Sequence, residues 1–154
     1  ADLGNYRPIS LLSQTYKLLS KILTTRITKK LDFYQPEEQA GFRCGYNTMD
    51  HILTMRVLIE KATEYQMPLW YAFIDYKKAF DSVETWAVYE SLRNARVDHR
   101  YNQLIAEIYK NAKMKVAIPQ TTNTINIRKG MRQGDSLSPK LFTLVLEDVF
   151  KKLE

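Results

Sequence analysis

Asp75 closes a short apolar and aromatic run, Leu69 to Ile74, and Phe80 follows it by five residues. About fifty residues further on, Gly130-Met131-Arg132-Gln133-Gly134-Asp135-Ser136-Leu137-Ser138-Pro139 is a glycine-punctuated polar loop that runs into a helix. A carboxylate at the end of a strand is held rigidly at the sheet's edge. Hard divalent cations such as Mg2+ take oxygen ligands, often one or two carboxylates together with substrate phosphates. The turn from Tyr76 through Lys77 to Ala79 offers backbone amides to a triphosphate. For a lone aspartate after a strand, a turn or helix-capping role is the stronger reading. Phe80 shifts that balance, because it can line the same pocket, pack against a sugar and leave no room for a 2′-hydroxyl. The alternative for Phe80 is a core position. Asp81 reads as a cap or ion-pair partner. Gln133 carries both a donor and an acceptor, and Gly134 lets backbone approach a ligand closely. The loop placed after an Asp-x4-Phe-Asp strand-turn-helix is hard to explain as coincidence.

These groups need a scaffold, and periodicity supplies one. A helix is predicted from about Gln14 to Leu31, capped by Ser13, with Tyr16, Leu19, Ile22, Leu23, Ile27 and Leu31 on one face. Lys17, Lys21, Lys29 and Lys30 read as a solvated face, although such a face can neutralise phosphates. A loop through Gln35-Pro36 and Gly41 to Gly45 leads to a second helix, Thr48 to Tyr65, burying Ile52, Met55, Ile59 and Ala62. Leu69 to Asp75 is predicted as a strand. A third helix begins at Asp81 or Ser82, with Glu84 placed as in a capping box. A fourth runs from His99 to Ala112, with Tyr101, Leu104, Ile105, Ile108 and Tyr109 inward. Lys115 to Ile118 and Thr124 to Arg128 form a hairpin about a turn at Gln120 to Asn123. Ser138 caps the last helix and Pro139 opens it. The class is α+β, helices packed on a small, mostly antiparallel sheet.

The 154 residues are 45% hydrophobic, enough for a core, with 23 Lys+Arg against 17 Asp+Glu and a formal net charge of +6. That balance weakly favours polyanion partners. The single cysteine, Cys44, excludes an internal disulfide and fits a reducing compartment. No apolar run approaches membrane-spanning length, so no membrane partner is expected. His51 and His99 have no metal-ligand spacing. The chain opens at Ala1 and its last residues lie within a helical pattern, so both ends are expected to be cut.

In order along the chain, Asn5-Tyr6-Arg7-Pro8-Ile9-Ser10-Leu11-Leu12, Gln39-Ala40-Gly41-Phe42-Arg43, Phe73-Ile74-Asp75 through Asp81, and Gly130 through Phe142 resemble four motifs of one family. The chain resembles the reverse transcriptase domain of non-LTR, LINE-type retrotransposons across essentially its whole length. The resemblance implies a partial right-hand polymerase, with fingers over about 1–68 and part of the palm over about 69–154. It implies that Asp75 is the catalytic carboxylate on two Mg2+ ions and that the Tyr76 carbonyl binds one of them. Arg7, Tyr76, Lys77, Phe80, Gln133 and Gly134 would bind the deoxynucleoside triphosphate, with Phe80 as the gate against ribonucleotides. Arg43 and Gly134 would meet the template and primer. RNA template, DNA primer and the remainder of palm and thumb are the implied partners, in a nuclear or cytoplasmic ribonucleoprotein.

Such a site needs an adjacent Asp-Asp pair downstream, and none occurs in these 154 residues. Asp135 and Asp148 read as poor substitutes. This stretch alone is therefore expected to be inactive. A non-catalytic nucleic-acid-binding module, or a relic of such an element, is the alternative. A group II intron-type reverse transcriptase is the nearest competing enzyme. An RNA-dependent RNA polymerase fits less well, because Phe80 would crowd a ribose.

Overall fold

The computed structural model describes residues 9–118 and 121–153, and the expected Arg7 contact lies outside them. The chain orders as α1 (Gln14–Tyr34), α2 (Thr48–Glu64), α3 (Ala79–Ser82), α4 (Thr85–Asn94), α5 (His99–Lys110), β1 (Lys113–Ile118), β2 (Thr121–Asn126) and α6 (Leu137–Phe150). It is an α+β fold in which the described residues form one two-stranded antiparallel sheet, β1 against β2. The chain divides into two compact units, residues 1–35 with 78–154, and residues 36–77.

The first unit holds the core. Ser13 caps α1 as expected, its hydroxyl accepting from the Tyr16 amide at 3.2 Å. Leu23, Ile27 and Leu31 are buried, but Leu19 and Ile22 are about two-fifths exposed, because Ser20 takes the inward position on that turn. α6 packs against α1 and α4, and α4 against α5. Leu137, Leu141 and Leu144 are sealed from solvent among Val88, Leu92 and Ile105. Each such side chain contributes about 1.5–3 kcal/mol by leaving water. The polar groups that α6 buries find partners. Lys140 meets Asp32 at 2.9 Å, and Asp148 accepts from Tyr34 at 2.5 Å and from Asn94 at 3.0 Å.

Several expectations are corrected here. Leu69 to Asp75 forms no strand, since a strand needs a ladder partner and the only ladder among the described residues joins β1 to β2. α2 forms at the expected place, with Asn47 and Asp50 in a reciprocal capping box, yet it buries no residue. Ile52 and Ile59 are about half exposed; within the second unit they line, with Met55 and Phe73, an apolar groove of about 620 Å³. The Asp81–Glu84 capping box does not form. Ala79–Ser82 is a single turn, and α4 restarts at Thr85 without a side-chain cap. α5 is capped by Asp98 and buries Ile105 and Tyr109, while Leu104 is 39% exposed. Thr121 to Asn123 pair within the hairpin ladder rather than turning, with Val116 opposite Asn123. No helix among the described residues is long and apolar enough to cross a membrane.

Tyr109 links α5 to α6, its hydroxyl 3.3 Å from that of Ser138. Burial pushes its phenol up to about 12, against the lowering effect of the Ser138 bond. The folded state therefore holds this proton more tightly than the unfolded chain. The associated stability is complete below pH about 10 and is lost as pH rises towards about 12. Tyr109→Phe is expected to remove up to about 1.4 kcal/mol per pH unit from that alkaline slope. Urea midpoints between pH about 9 and about 11.5 check this, and an unchanged slope would contradict it.

Candidate active site

In the first unit, two backbone hydrogen bonds join the turn carrying Phe80 to the glycine-rich loop. Met131 N–H donates to the Phe80 carbonyl at 2.7 Å, and Gly130 N–H to that of Val83 at 2.8 Å. The approach requires glycine at position 130. Its φ is +92°, and a Cβ there would lie 3.0 Å from the Asp81 carbonyl oxygen. The loop's other side is held by Ser10, whose N–H donates to the Gln133 carbonyl at 3.3 Å. Gly134, with φ +98°, passes close to the Ser10 carbonyl. Between these contacts lies a cleft of about 230 Å³ lined by Phe80, Arg132, Gln133, Gly134, Asp135 and Pro139. The structure thus brings together Phe80, Gln133 and Gly134. Phe80 also takes the core position expected as its alternative, its ring stacked on Phe142 at 4.6 Å between centroids.

The loop's shape is set by a residue that sequence reasoning weighed only as an inadequate metal ligand. Asp135 is buried. Its carboxylate accepts from the Tyr16 hydroxyl at 2.8 Å, from the Ser20 hydroxyl and from the Leu137 amide at 3.1 Å. The last bond corrects the expected cap. Ser138 is buried inside the helix and Pro139 sits in its first turn rather than opening it, while Asp135 serves the free amide at the helix start. Burial, and then the bond to Asp135, raise the Tyr16 phenol above its usual value, so it stays a neutral donor. Arg132 was also missed. Its guanidinium lies over the Tyr16 ring at 4.9 Å and the Tyr109 ring at 5.7 Å, and donates to the Ile108 carbonyl at 3.2 Å. An aspartate just before a helix was a visible capping signal. Its partners on α1, more than a hundred residues earlier in the chain, were not.

The second unit carries Asp75, Tyr76 and Lys77 on an exposed segment without regular structure. Asp75 has no hydrogen-bond or ion-pair partner among the described residues. No group of three or more His, Cys, Asp or Glu is placed to hold a metal ion among the described residues. The Asp75 carboxylate and the Tyr76 carbonyl are hard oxygen donors, the right chemistry for a divalent cation, but they are two of the six or so that such an ion takes. Arg43 donates to the carbonyls of Pro36 at 2.5 Å and Gln39 at 2.9 Å and lies 4.4 Å over the Tyr46 ring. It braces its own loop.

Comparison with known proteins places this geometry in context. The family described as reverse transcriptase (RNA-dependent DNA polymerase) matches residues 1–154. The retrovirus-related Pol polyprotein from type-1 retrotransposable element R2 of Nasonia vitripennis is 30% identical over 155 residues, covering 99% of this chain and 15% of that protein. A protein of the same description from Popillia japonica is 28% identical, covering 98% and 21%. The RNA-directed DNA polymerase from mobile element jockey of Drosophila funebris is 26% identical, covering 96% and 16%. The chain spans about a fifth or less of the length of these relatives.

Two substitutions test the loop. Asp135→Ala leaves two hydroxyls and an amide without their acceptor and is expected to destabilise the protein by about 2–4 kcal/mol; Asp135→Asn, which keeps one oxygen, is expected to cost about half as much. Gly130→Ala forces a close backbone contact at positive φ and is expected to cost about 1–3 kcal/mol. Denaturant unfolding measures both, and wild-type stability in either alanine variant would contradict the corresponding contact.

Proposed function

The chain belongs to the reverse transcriptase (RNA-dependent DNA polymerase) family, and from that premise we propose that it forms the nucleotide-binding part of a LINE-type retrotransposon polymerase that copies RNA into DNA. The observation that carries this reading is the cleft in which Phe80 faces Gln133 and Gly134. The Met131–Phe80 backbone bond ties the two motifs into one wall. An aromatic ring there packs against the sugar of the incoming deoxynucleoside triphosphate and rejects a 2′-hydroxyl. Gln133 and Gly134 border the base and the template–primer. Arg7 contacts the triphosphate, where a bidentate guanidinium suits phosphate oxygens. In this reading the backbone amides of Tyr76 and Lys77 would bind the triphosphate, and Arg43 the template strand. Fingers over about 1–68 and part of the palm over about 69–154 remain our division of the chain.

Asp75 and the Tyr76 carbonyl would hold Mg2+. When bound, the metal ions lower the barrier for attack of the primer 3′-oxygen on the α-phosphorus and for departure of pyrophosphate. Further carboxylates are required, and these 154 residues contain no adjacent Asp-Asp pair. The 154-residue polypeptide alone is accordingly expected to incorporate no nucleotide.

Primer extension on an RNA template tests the proposal in a polymerase that carries this domain. Asp75→Ala is expected to lower incorporation by roughly a hundred- to a thousandfold. Phe80→Ala is expected to raise ribonucleotide use relative to deoxynucleotide by roughly ten- to a hundredfold. Wild-type rates in the first variant, or unchanged sugar selectivity in the second, would sink the corresponding role.

A further inference from the structure

A second groove in the first unit, of about 630 Å³, opens among α4, α5 and the hairpin. Tyr89, Tyr109, Lys110, Lys113, Asn126 and Arg128 line it, and none of its lining residues is acidic. Lys113 pairs with Asn126 across the ladder, and Lys115, two residues on, stands on the same face of β1. Met114 faces the other way and lines a separate cleft with Gly130, Met131 and Gln133. The basic groove and the nucleotide loop therefore lie on opposite faces of the hairpin. Lys110, Lys113, Lys115 and Arg128 form no ion pair among the described residues. Glu107, one turn before Asn111 on the adjoining helix, is engaged by the Asn111 amide at 3.0 Å. Lys110 has an ordinary explanation in the last turn of α5, where a cation offsets the helix dipole. That explanation does not reach Lys113, Lys115 or Arg128.

We propose that this groove binds the phosphate backbone of a single-stranded RNA segment. Cations without ion-pair partners lining one groove, with side-chain amides between them, are what the phosphates of a flexible polyanion require. The choice of RNA rests on the polymerase reading; the charge argument does not. The groove shares no lining residue with the cleft of Phe80, Gln133 and Gly134, so RNA bound in it would leave that cleft free.

The test measures binding of a labelled single-stranded RNA to the intact protein from about 50 to about 300 mM salt. Replacing Lys110, Lys113 and Arg128 by Gln is expected to flatten the log–log salt slope by about two and weaken binding roughly tenfold or more at about 0.15 M. Lys110→Arg with Lys113→Arg, which keeps the charge, is expected to retain the wild-type slope. Replacing Lys17, Lys21 and Lys29 by Gln on α1 serves as the charge-matched control. A wild-type slope in the groove variant, with its unfolding midpoint unchanged, would overturn the proposal. So would an equal loss in the α1 control, which would mean general attraction to a basic protein. Primer extension reports separately. Activity insensitive to Asp75→Ala would remove the polymerase reading and leave the salt slopes standing on their own.

Discussion

A carboxylate taken out of water must be paid for in hydrogen bonds, and Asp135 makes that demand at the point where the loop meets α6. Its oxygens gather two hydroxyls from α1 and the amide that starts α6. The result is a fixed relation between the first helix, the loop and the last helix. Gln133 and Gly134 immediately precede this anchor, so their backbone inherits its position. Met131, on the other side of Arg132, is bonded to the Phe80 turn. With both ends held, the loop has little freedom left. The cleft is thus a product of backbone tethering, and its one aromatic wall is stacked on Phe142.

Arg132 adds a second constraint of a different kind. A planar guanidinium can lie over one aromatic ring, approach another and still donate to a carbonyl in its own plane. Arg132 does this with Tyr16, Tyr109 and Ile108. It couples α1 to α5 at the level of the loop. A lysine would keep the charge but lose the planar fork. The residue flanking Gln133 is therefore structural in its contacts, even though it also lines the cleft.

What the sequence made legible follows from how local each signal was. The Ser13 cap and the inward Leu23, Ile27 and Leu31 were readable because capping and a 3.6-residue period act within a few residues. The Gln133–Gly134 loop and Phe80 were readable as partners through family resemblance, and the structure sets them in one cleft. The Leu69 to Asp75 strand was misjudged because β-propensity is a preference for a pleated, half-buried surface, and an unpaired segment has none to join. The Asp81–Glu84 spacing fits a capping box, yet the Gly130 and Met131 amides draw the carbonyls of Val83 and Phe80 into a separate turn. Asp135 was undervalued for the same reason in reverse. Its partners are more than a hundred residues away, where no periodicity can point.

The two units differ in what holds them. Every buried side chain described lies in the first unit, and α2 contributes none. Residues 36–77 are ordered by local means: the Asn47–Asp50 capping box, the Arg43 clamp on two carbonyls and exposed ion pairs such as Arg56–Glu60 at 2.8 Å. Exposed pairs of that kind contribute only a few tenths of a kcal/mol, and a helix of this length is marginal in water without tertiary packing. Asp75 belongs to this weakly buried unit. Phe80, Gln133 and Gly134 belong to the well-packed one. The Phe80 wall of the cleft is therefore held in place by the core of its own unit. A divalent cation at Asp75 would need additional oxygen donors, because a hard cation's demand for about six ligands exceeds what one carboxylate and one carbonyl provide.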